Sequence, residues 1–419
     1  MIEETYPSGR VVKNTLSNDG DLQQVQSRRA NDTFRNYANT FNYTAAGAVS
    51  AMRLGNGRWE NTTFNSRLQP TQIGLGGSAT NTSLLKRNYD YGSTTNNGNV
   101  LSQTITVNRS NQSSLVLTQS YVYDSLNRLK SAEEKDAANV TTWKQTYTFD
   151  RYGNRRFDQT NTTQPASFAN PNITNPTIDT ANNRFTTGQG WTYDLAGNVI
   201  TDAEGRGFFY DSENKQIEAK NSSSATLGTY YFDGDGKRVK KVVPSGETTV
   251  FVYDAGGKLV AEYSTVVQPT STAKIQYLTN DNLGTPRINT DQLGNVVSRS
   301  DYMPYGEEII ALGGRTSADK YVVDDVRQGF TGYEIDSETG LDFGQARMYA
   351  KGLGRFHSVD PKLASARLFS PQTWNRFTYV INNPLKFVDP NGKDIFVIVN
   401  DVAVQYKIIG GKGVFVDSD

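Results

Sequence analysis

The 419-residue chain has no cysteine and a single histidine, His357. Without cysteine there is no disulfide, no thiolate metal site and no cysteine nucleophile; one histidine excludes a two-histidine metal site and leaves at most one imidazole base. Net charge is missing too, because 43 basic side chains balance 43 acidic ones. With no long-range field to attract it, nucleic acid is not an expected partner, and neither is anionic lipid. No apolar run approaches the roughly 18 residues of a spanning helix, and Met1 to Arg10 lacks the basic-then-apolar pattern of an export signal. Helical periods rich in Ala, Leu and Glu are scarce. Gly410-Gly-Lys-Gly413 lacks the spacing of a phosphate-binding loop, and Asp233-Gly-Asp235 lacks the closing Glu of a calcium loop, so both read as turns and no cofactor or metal is expected.

What the chain has instead is 23 Tyr, 19 Phe and 37 Gly with abundant Thr, Asn and Ser, a composition for strands joined by tight turns. An aromatic followed by Asp recurs at Tyr89-Asp90, Tyr123-Asp124, Phe149-Asp150, Tyr193-Asp194, Tyr210-Asp211, Phe232-Asp233 and Tyr253-Asp254. The fuller unit is visible as Tyr121-Val-Tyr-Asp-Ser-Leu-Asn-Arg128, Tyr147-Thr-Phe-Asp-Arg-Tyr-Gly-Asn154, Trp191-Thr-Tyr-Asp-Leu-Ala-Gly-Asn198 and Phe251-Val-Tyr-Asp-Ala-Gly-Gly-Lys258. It spells a strand, a turn and the start of a second strand. Aromatics at i and i+2 share one sheet face, the Asp accepts a backbone N–H two residues on, and Gly153, Gly197 or an Asn supplies positive φ. A lone hairpin cannot bury its aromatic face, so neighbouring hairpins must join into a larger sheet.

Successive Asp positions are spaced by 34, 26, 44, 17, 22 and 21 residues. The longest step holds the Asn/Thr/Pro-rich segment 160–188, with three prolines, which reads as a surface loop insertion because the repeat resumes after it. The remaining expectations are one continuous curved sheet and little helix, most of it between Asp360 and Asn375.

On these motifs the chain resembles the Rhs/YD-repeat family, which includes bacterial polymorphic toxins, C components of insecticidal toxin complexes and animal teneurins. The resemblance sharpens at Gly329-Phe-Thr-Gly-Tyr-Glu-Ile-Asp-Ser-Glu-Thr-Gly-Leu341, Ala346-Arg-Met-Tyr349, Gly354-Arg-Phe356, Val359-Asp-Pro361, Asn375-Arg-Phe-Thr-Tyr379 and Asn382-Asn-Pro-Leu-Lys-Phe-Val-Asp-Pro-Asn-Gly392, which follow the order of an Rhs repeat-associated core domain. It implies an all-β fold: a hairpin sheet spiralling into a hollow shell, capped by the core domain, with the shell incomplete in this chain. The implied domains are the repeat shell at 1–318, the core domain at 319–392, and the start of a variable C-terminal region at 393–419.

The implied function is a β-shell that encloses and presents a C-terminal effector segment in bacterial competition or host interaction, secreted or at the cell surface. Its partners would be that segment of its own chain, with secretion-system or immunity proteins beyond it. The competing reading is a cell-surface adhesion or carbohydrate-binding module without a toxin; inward-facing Tyr123, Tyr193 and Tyr253 would favour packaging, and outward rings sugar binding. The family's core domain is an intramolecular aspartyl protease that cuts just after its second Asp-Pro motif. The matching residues are Asp360, Asp389 and, as the nearby cation, Arg355, with the cut falling in the region Gly392, Lys393 and Asp394. Two adjacent carboxylates cannot both ionise, so one keeps a proton as acid while the other activates water. Asp-Pro also starts ordinary turns, Lys393 stands where cleaving members carry Leu, Leu363 stands where the first motif carries Gly, and the spacer between the motifs is longer. His357 reads as a satisfied surface or sheet histidine, with a role in the cleavage site as the alternative.

Overall fold

The computed structural model of the chain describes residues 2–110, 112–266, 274–362, 365–366, 370–399, 402–409 and 412–416. Nearly all its regular structure is antiparallel strand. A 13-stranded sheet runs from Ile2 to Phe157 and an 8-stranded sheet from Thr192 to Ser264, every strand paired with the next in sequence. Smaller sheets follow at 276–299, 301–309, 334–356 and 396–416.

The repeated turn builds these sheets. At Asp124 the backbone N–H donates to the Arg128 carbonyl (2.9 Å), while Oδ1 accepts from Leu126 N (2.9 Å) and Arg128 N (3.0 Å). The same pattern recurs at Asp150, Asp211 and Asp233, and Asp194 and Asp254 likewise accept the N–H four residues on. Asn127, Gly153, Gly197 and Gly236 hold the left-handed position that closes it. Turns of this kind without an aromatic partner, at Asp136, Asp202 and Asn221, close other hairpins. Ladder register slips at Tyr123, Tyr193, Tyr210, Phe232 and Tyr253. A bulge bends its strand and increases twist, so one at the same place in successive hairpins curls the sheet.

Along Leu115–Tyr123 alternate residues Leu115, Leu117, Gln119 and Tyr121 are buried. The inner face they form is covered by later chain. Tyr121, Trp143, Tyr147 and Phe157 pack with Met303, Tyr305 and Ile309, and Trp191, Phe208 and Tyr230 pack with Leu341, Phe343 and Met348. Buried charges join the same layers. Arg315 bonds Glu134 (2.7 Å) and Asp301 (2.9 Å), and Asp301 also meets Arg87 (2.7 Å). Burial works to raise the Asp301 pKa, but Arg315, Arg87 and Arg287 outweigh it and hold the carboxyl far below its ordinary range. In the second sheet Arg238 bonds Glu334 (2.6 Å) and Asp336 (2.7 Å).

Three expectations change. The strands do not form one continuous sheet: the ladder breaks between Phe157 and Thr192. Segment 160–188 is not a simple surface loop, because it holds a short α-helix at Pro171–Thr174 and a hairpin pairing Ile178 with Phe185, and Phe168 packs into the core. The side-chain amide of Asn175 accepts from Phe157 N (2.9 Å) and donates to Phe157 O (3.1 Å), standing in for the next strand at the sheet's edge. A cavity of about 540 Å³ lies at the break, lined by Ile173, Trp191, Glu307, Ile309, Leu353 and His357. Among the described residues helix is sparse, and the one α-helical turn lies in this insertion; between Asp360 and Asn375 a 3₁₀ turn at Pro371–Trp374 is described, whereas 363, 364 and 367–369 lie outside the described residues. At the far ends the two large sheets approach through Tyr263 Oη and Ser8 Oγ (3.1 Å).

Candidate functional site

Three turns along one end of the 13-stranded sheet seat the segment from Asn382 to Lys386. Asn382 Nδ2 donates to Gly153 O (2.8 Å), and Asn383 Nδ2 donates to Asn127 O (2.8 Å) and Asn99 Oδ1 (2.9 Å). Lys386 Nζ reaches Asn97 O (2.8 Å). The backbone between them is unusual: Val380, Ile381 and Asn382 have φ of 38°, 50° and 61°. Left-handed backbone costs L-residues about 1–2 kcal/mol each, and branching at Cβ makes Val and Ile poor occupants.

From there the chain runs to Val388, which exchanges two backbone hydrogen bonds with Phe396 (2.8 and 2.9 Å), so residues 389–395 form a loop that doubles back. Asp389 lies inside it, 3% exposed. Its Oδ2 accepts from Arg347 Nη2 (2.9 Å), and its Oδ1 accepts from the backbone N–H of Lys393 (2.9 Å) and Asp394 (3.2 Å). Arg347 Nη2 also lies 3.9 Å from Asp360 Oδ2, so one guanidinium faces both carboxylates. Arg347 Nε donates to the Gly392 carbonyl (2.6 Å), and the guanidinium stacks on Phe356 at 3.6 Å. Burial pushes Asp389 up to about 6; Arg347 opposes that, and Asp360 adds to it. Gly392 is required by close approach, since at φ 67° a Cβ would sit 2.3 Å from Gly344 O.

The Gly392–Lys393 peptide is therefore held at both ends, its carbonyl on Arg347 and its N–H shared between Asp389 Oδ1 and Asn391 Oδ1 (2.9 Å each). Tyr333 Oη donates to the Asp389 carbonyl, Arg376 donates to the Asp360 carbonyl, and Lys362 Nζ pairs with Asp394. Asp360 also serves as a turn former, accepting Lys362 N at 2.8 Å.

The structure thus places Asp360, Asp389, Gly392, Lys393 and Asp394 together, but not Arg355. Arg355 points the other way, donating to Asn183 O (2.6 Å) between the rings of Phe185 and Phe377. Strand alternation explains this: Tyr349 pairs with Phe356, so Arg347, two residues before Tyr349, shares their face, whereas Arg355 falls on the opposite face with Ala350. Arg347 lies in the Ala346-Arg-Met-Tyr349 motif, and counting by two from Tyr349 would have found it. The repeat residues Tyr123, Phe149, Tyr193, Tyr210, Phe232 and Tyr253 are half-buried on the inner face, and the hydroxyls of Tyr123, Tyr193 and Tyr253 bond Val100 O, Phe185 N and Arg238 O. His357 is buried but not satisfied, since its Nδ1 has no hydrogen-bond partner. Among the described residues no group of three or more His, Asp or Glu is placed to hold a metal, and no helix is long and apolar enough to cross a membrane.

No protein-family model matches the chain. Among curated proteins it is 27% identical over 300 residues to the tRNA nuclease WapA of Bacillus subtilis, covering 66% of this chain and 12% of that one. It is 24% identical over 352 residues to the toxin subunit YenC1 of Yersinia entomophaga, covering 66% of this chain and 34% of the other. Mouse teneurin-1 is 24% identical over 206 residues, 48% of this chain and 7% of its own. The chain thus spans between 7% and 34% of the length of these relatives. Among solved structures, TcdB2-TccC3-Cdc42 superposes with a TM-score of 0.73 at 20% identity over 94% of this chain and 21% of its own, which shows that the two share a fold. With its hairpin repeat and the ordered motifs between Gly329 and Gly392, the chain is similar to toxin-related proteins of the Rhs/YD-repeat family.

Proposed function

We propose that this chain is wall and plug of a β-shell that encloses a C-terminal effector segment, and that the plug cuts its own chain at Gly392–Lys393. The segment from about 319 to 392 acts as the core domain, the repeats before it as the wall, and residues from 393 on as the start of the enclosed cargo. The inward, hydrogen-bonded rings of Tyr123, Tyr193 and Tyr253 support packaging over sugar binding. The likeness to toxins supports secretion or cell-surface display, with secretion-system or immunity proteins as further partners in this reading.

The observation that carries self-cleavage is the peptide held between Arg347 and Asp389. Water attacks the Gly392 carbonyl carbon and Asp360 takes its proton. Arg347 stabilises the negative oxygen, and Asp389, kept protonated by burial, gives its proton to the departing Lys393 nitrogen. The products are a chain ending in the Gly392 carboxyl group and a segment beginning with the Lys393 amine.

Mass spectrometry of purified protein held for days at pH 5.5 tests this. A new terminus at Lys393 is expected, lost in Asp389→Asn, Asp360→Asn and Arg347→Ala and slowing as pH rises through about 6. A terminus at Pro361 or Pro390 reports acid cleavage of Asp-Pro, and an intact chain under all conditions leaves the core as a plug alone.

A further inference from the structure

We infer that Val380–Asn383 is a latch that makes placement of Asp389 depend on closure of the wall around it. The turn has two β-branched residues in left-handed backbone, an arrangement that persists only where surrounding contacts impose it. Those contacts are amide bonds to the wall: Asn382 holds the Gly153 carbonyl and Asn383 holds the Asn127 carbonyl. Each comes from the positive-φ residue of an aromatic–Asp turn, so the latch reads two adjacent hairpins only when both turns are formed and neighbouring. Local bonds within the latch are few, Asn382 N to Tyr379 O (2.9 Å) and Asn383 N to Val380 O (3.1 Å).

Asp389 follows seven residues after Asn382, beyond a turn in which Phe387 N bonds Asn383 O (3.1 Å). Released from the wall, Val380 and Ile381 relax to right-handed or extended backbone, which turns the chain leading to Val388 and withdraws Asp389 from Arg347. Asn382 and Asn383 are thus positioning residues. The consequence for cutting rests on the self-cleavage reading; the mechanical coupling does not.

The test uses the full chain with Asn382→Ala and Asn383→Ala together. In an Asp360→Asn background, which keeps the chain uncut, amide hydrogen exchange at Val388 and Phe396 is expected to rise at least tenfold while Leu117 and Tyr121 in the wall stay protected. With Asp360 intact, cutting slows at least tenfold. Adding Ile381→Gly, which accepts left-handed backbone without strain, restores both to within a few-fold of the parent. Unchanged exchange at Val388 and Phe396, or no recovery with glycine, overturns the latch. If the parent chain is never cut, self-cleavage fails while the exchange result still decides the latch.

Discussion

His357 sits edge-on to Trp191 and Phe208, with ring centroids 6.0 and 5.1 Å away. Burial, with Arg206 and Arg355 adding to it, lowers its pKa to about 3. A base whose folded pKa is depressed contributes stability above its ordinary pKa and loses it as pH falls towards the folded value. His357→Phe is therefore expected to gain about 2 kcal/mol relative to the parent on going from pH 7.5 to pH 5, read from urea unfolding at both values. Asp389 and Asp342, both raised to about 6 chiefly by burial, have the opposite sign: their contribution is full below about pH 4 and lost as pH rises through 6. Lys393 lies close enough to Lys215 to add to the lowering that burial imposes on that amine. Lys393→Leu removes the repulsion and is expected to speed self-cleavage several-fold, measured as loss of full-length chain with time. Asp360 and Asp389 were singled out only through the resemblance of the ordered Asp-Pro block to the Rhs core, and in the structure both face one guanidinium. Which arginine would face them was not legible in the sequence, because chain proximity to Asp360 favours Arg355 and only strand pairing selects Arg347.

The hairpin is the element the sequence describes best, since aromatic, Asp and Gly each have a separable physical task in one turn. The insertion was the least legible. Asn, Thr and Pro suit a loop, and nothing in that composition says that Asn175 will imitate a peptide group for Phe157. The prediction at this scale is that Asn175→Ala costs about 2 kcal/mol, because it leaves a buried backbone N–H and C=O unpaired. The urea midpoint should fall, whereas substitution of exposed Asn182 should leave it nearly unchanged. The break between the large sheets was also hidden, because the repeat motif resumes at Trp191 without marking whether its strand joins the ladder before it.

At the scale of the whole molecule, the strand Ile2–Thr5 pairs on one side only among the described residues, and all four of its residues are exposed. Such an edge is a template for another strand, so the isolated chain is expected to self-associate at micromolar concentration. Ile2→Lys, which puts a charge on that edge, should shift sedimentation towards the monomer; an unchanged distribution would show that association runs elsewhere. The buried charges carry a different consequence, one of timing. Wall hairpins close locally, yet Glu134 meets Arg315 across 181 residues of chain. At roughly 5–20 residues per second, a ribosome needs roughly 10 to 40 s to supply that arginine after the glutamate has emerged. Until then Glu134 has only the neutral donors Gln119 and Thr142 of its own sheet. The counter-ion for Glu134 is encoded downstream of it, so the order of translation delays neutralisation of that carboxylate until the segment covering the inner face is made.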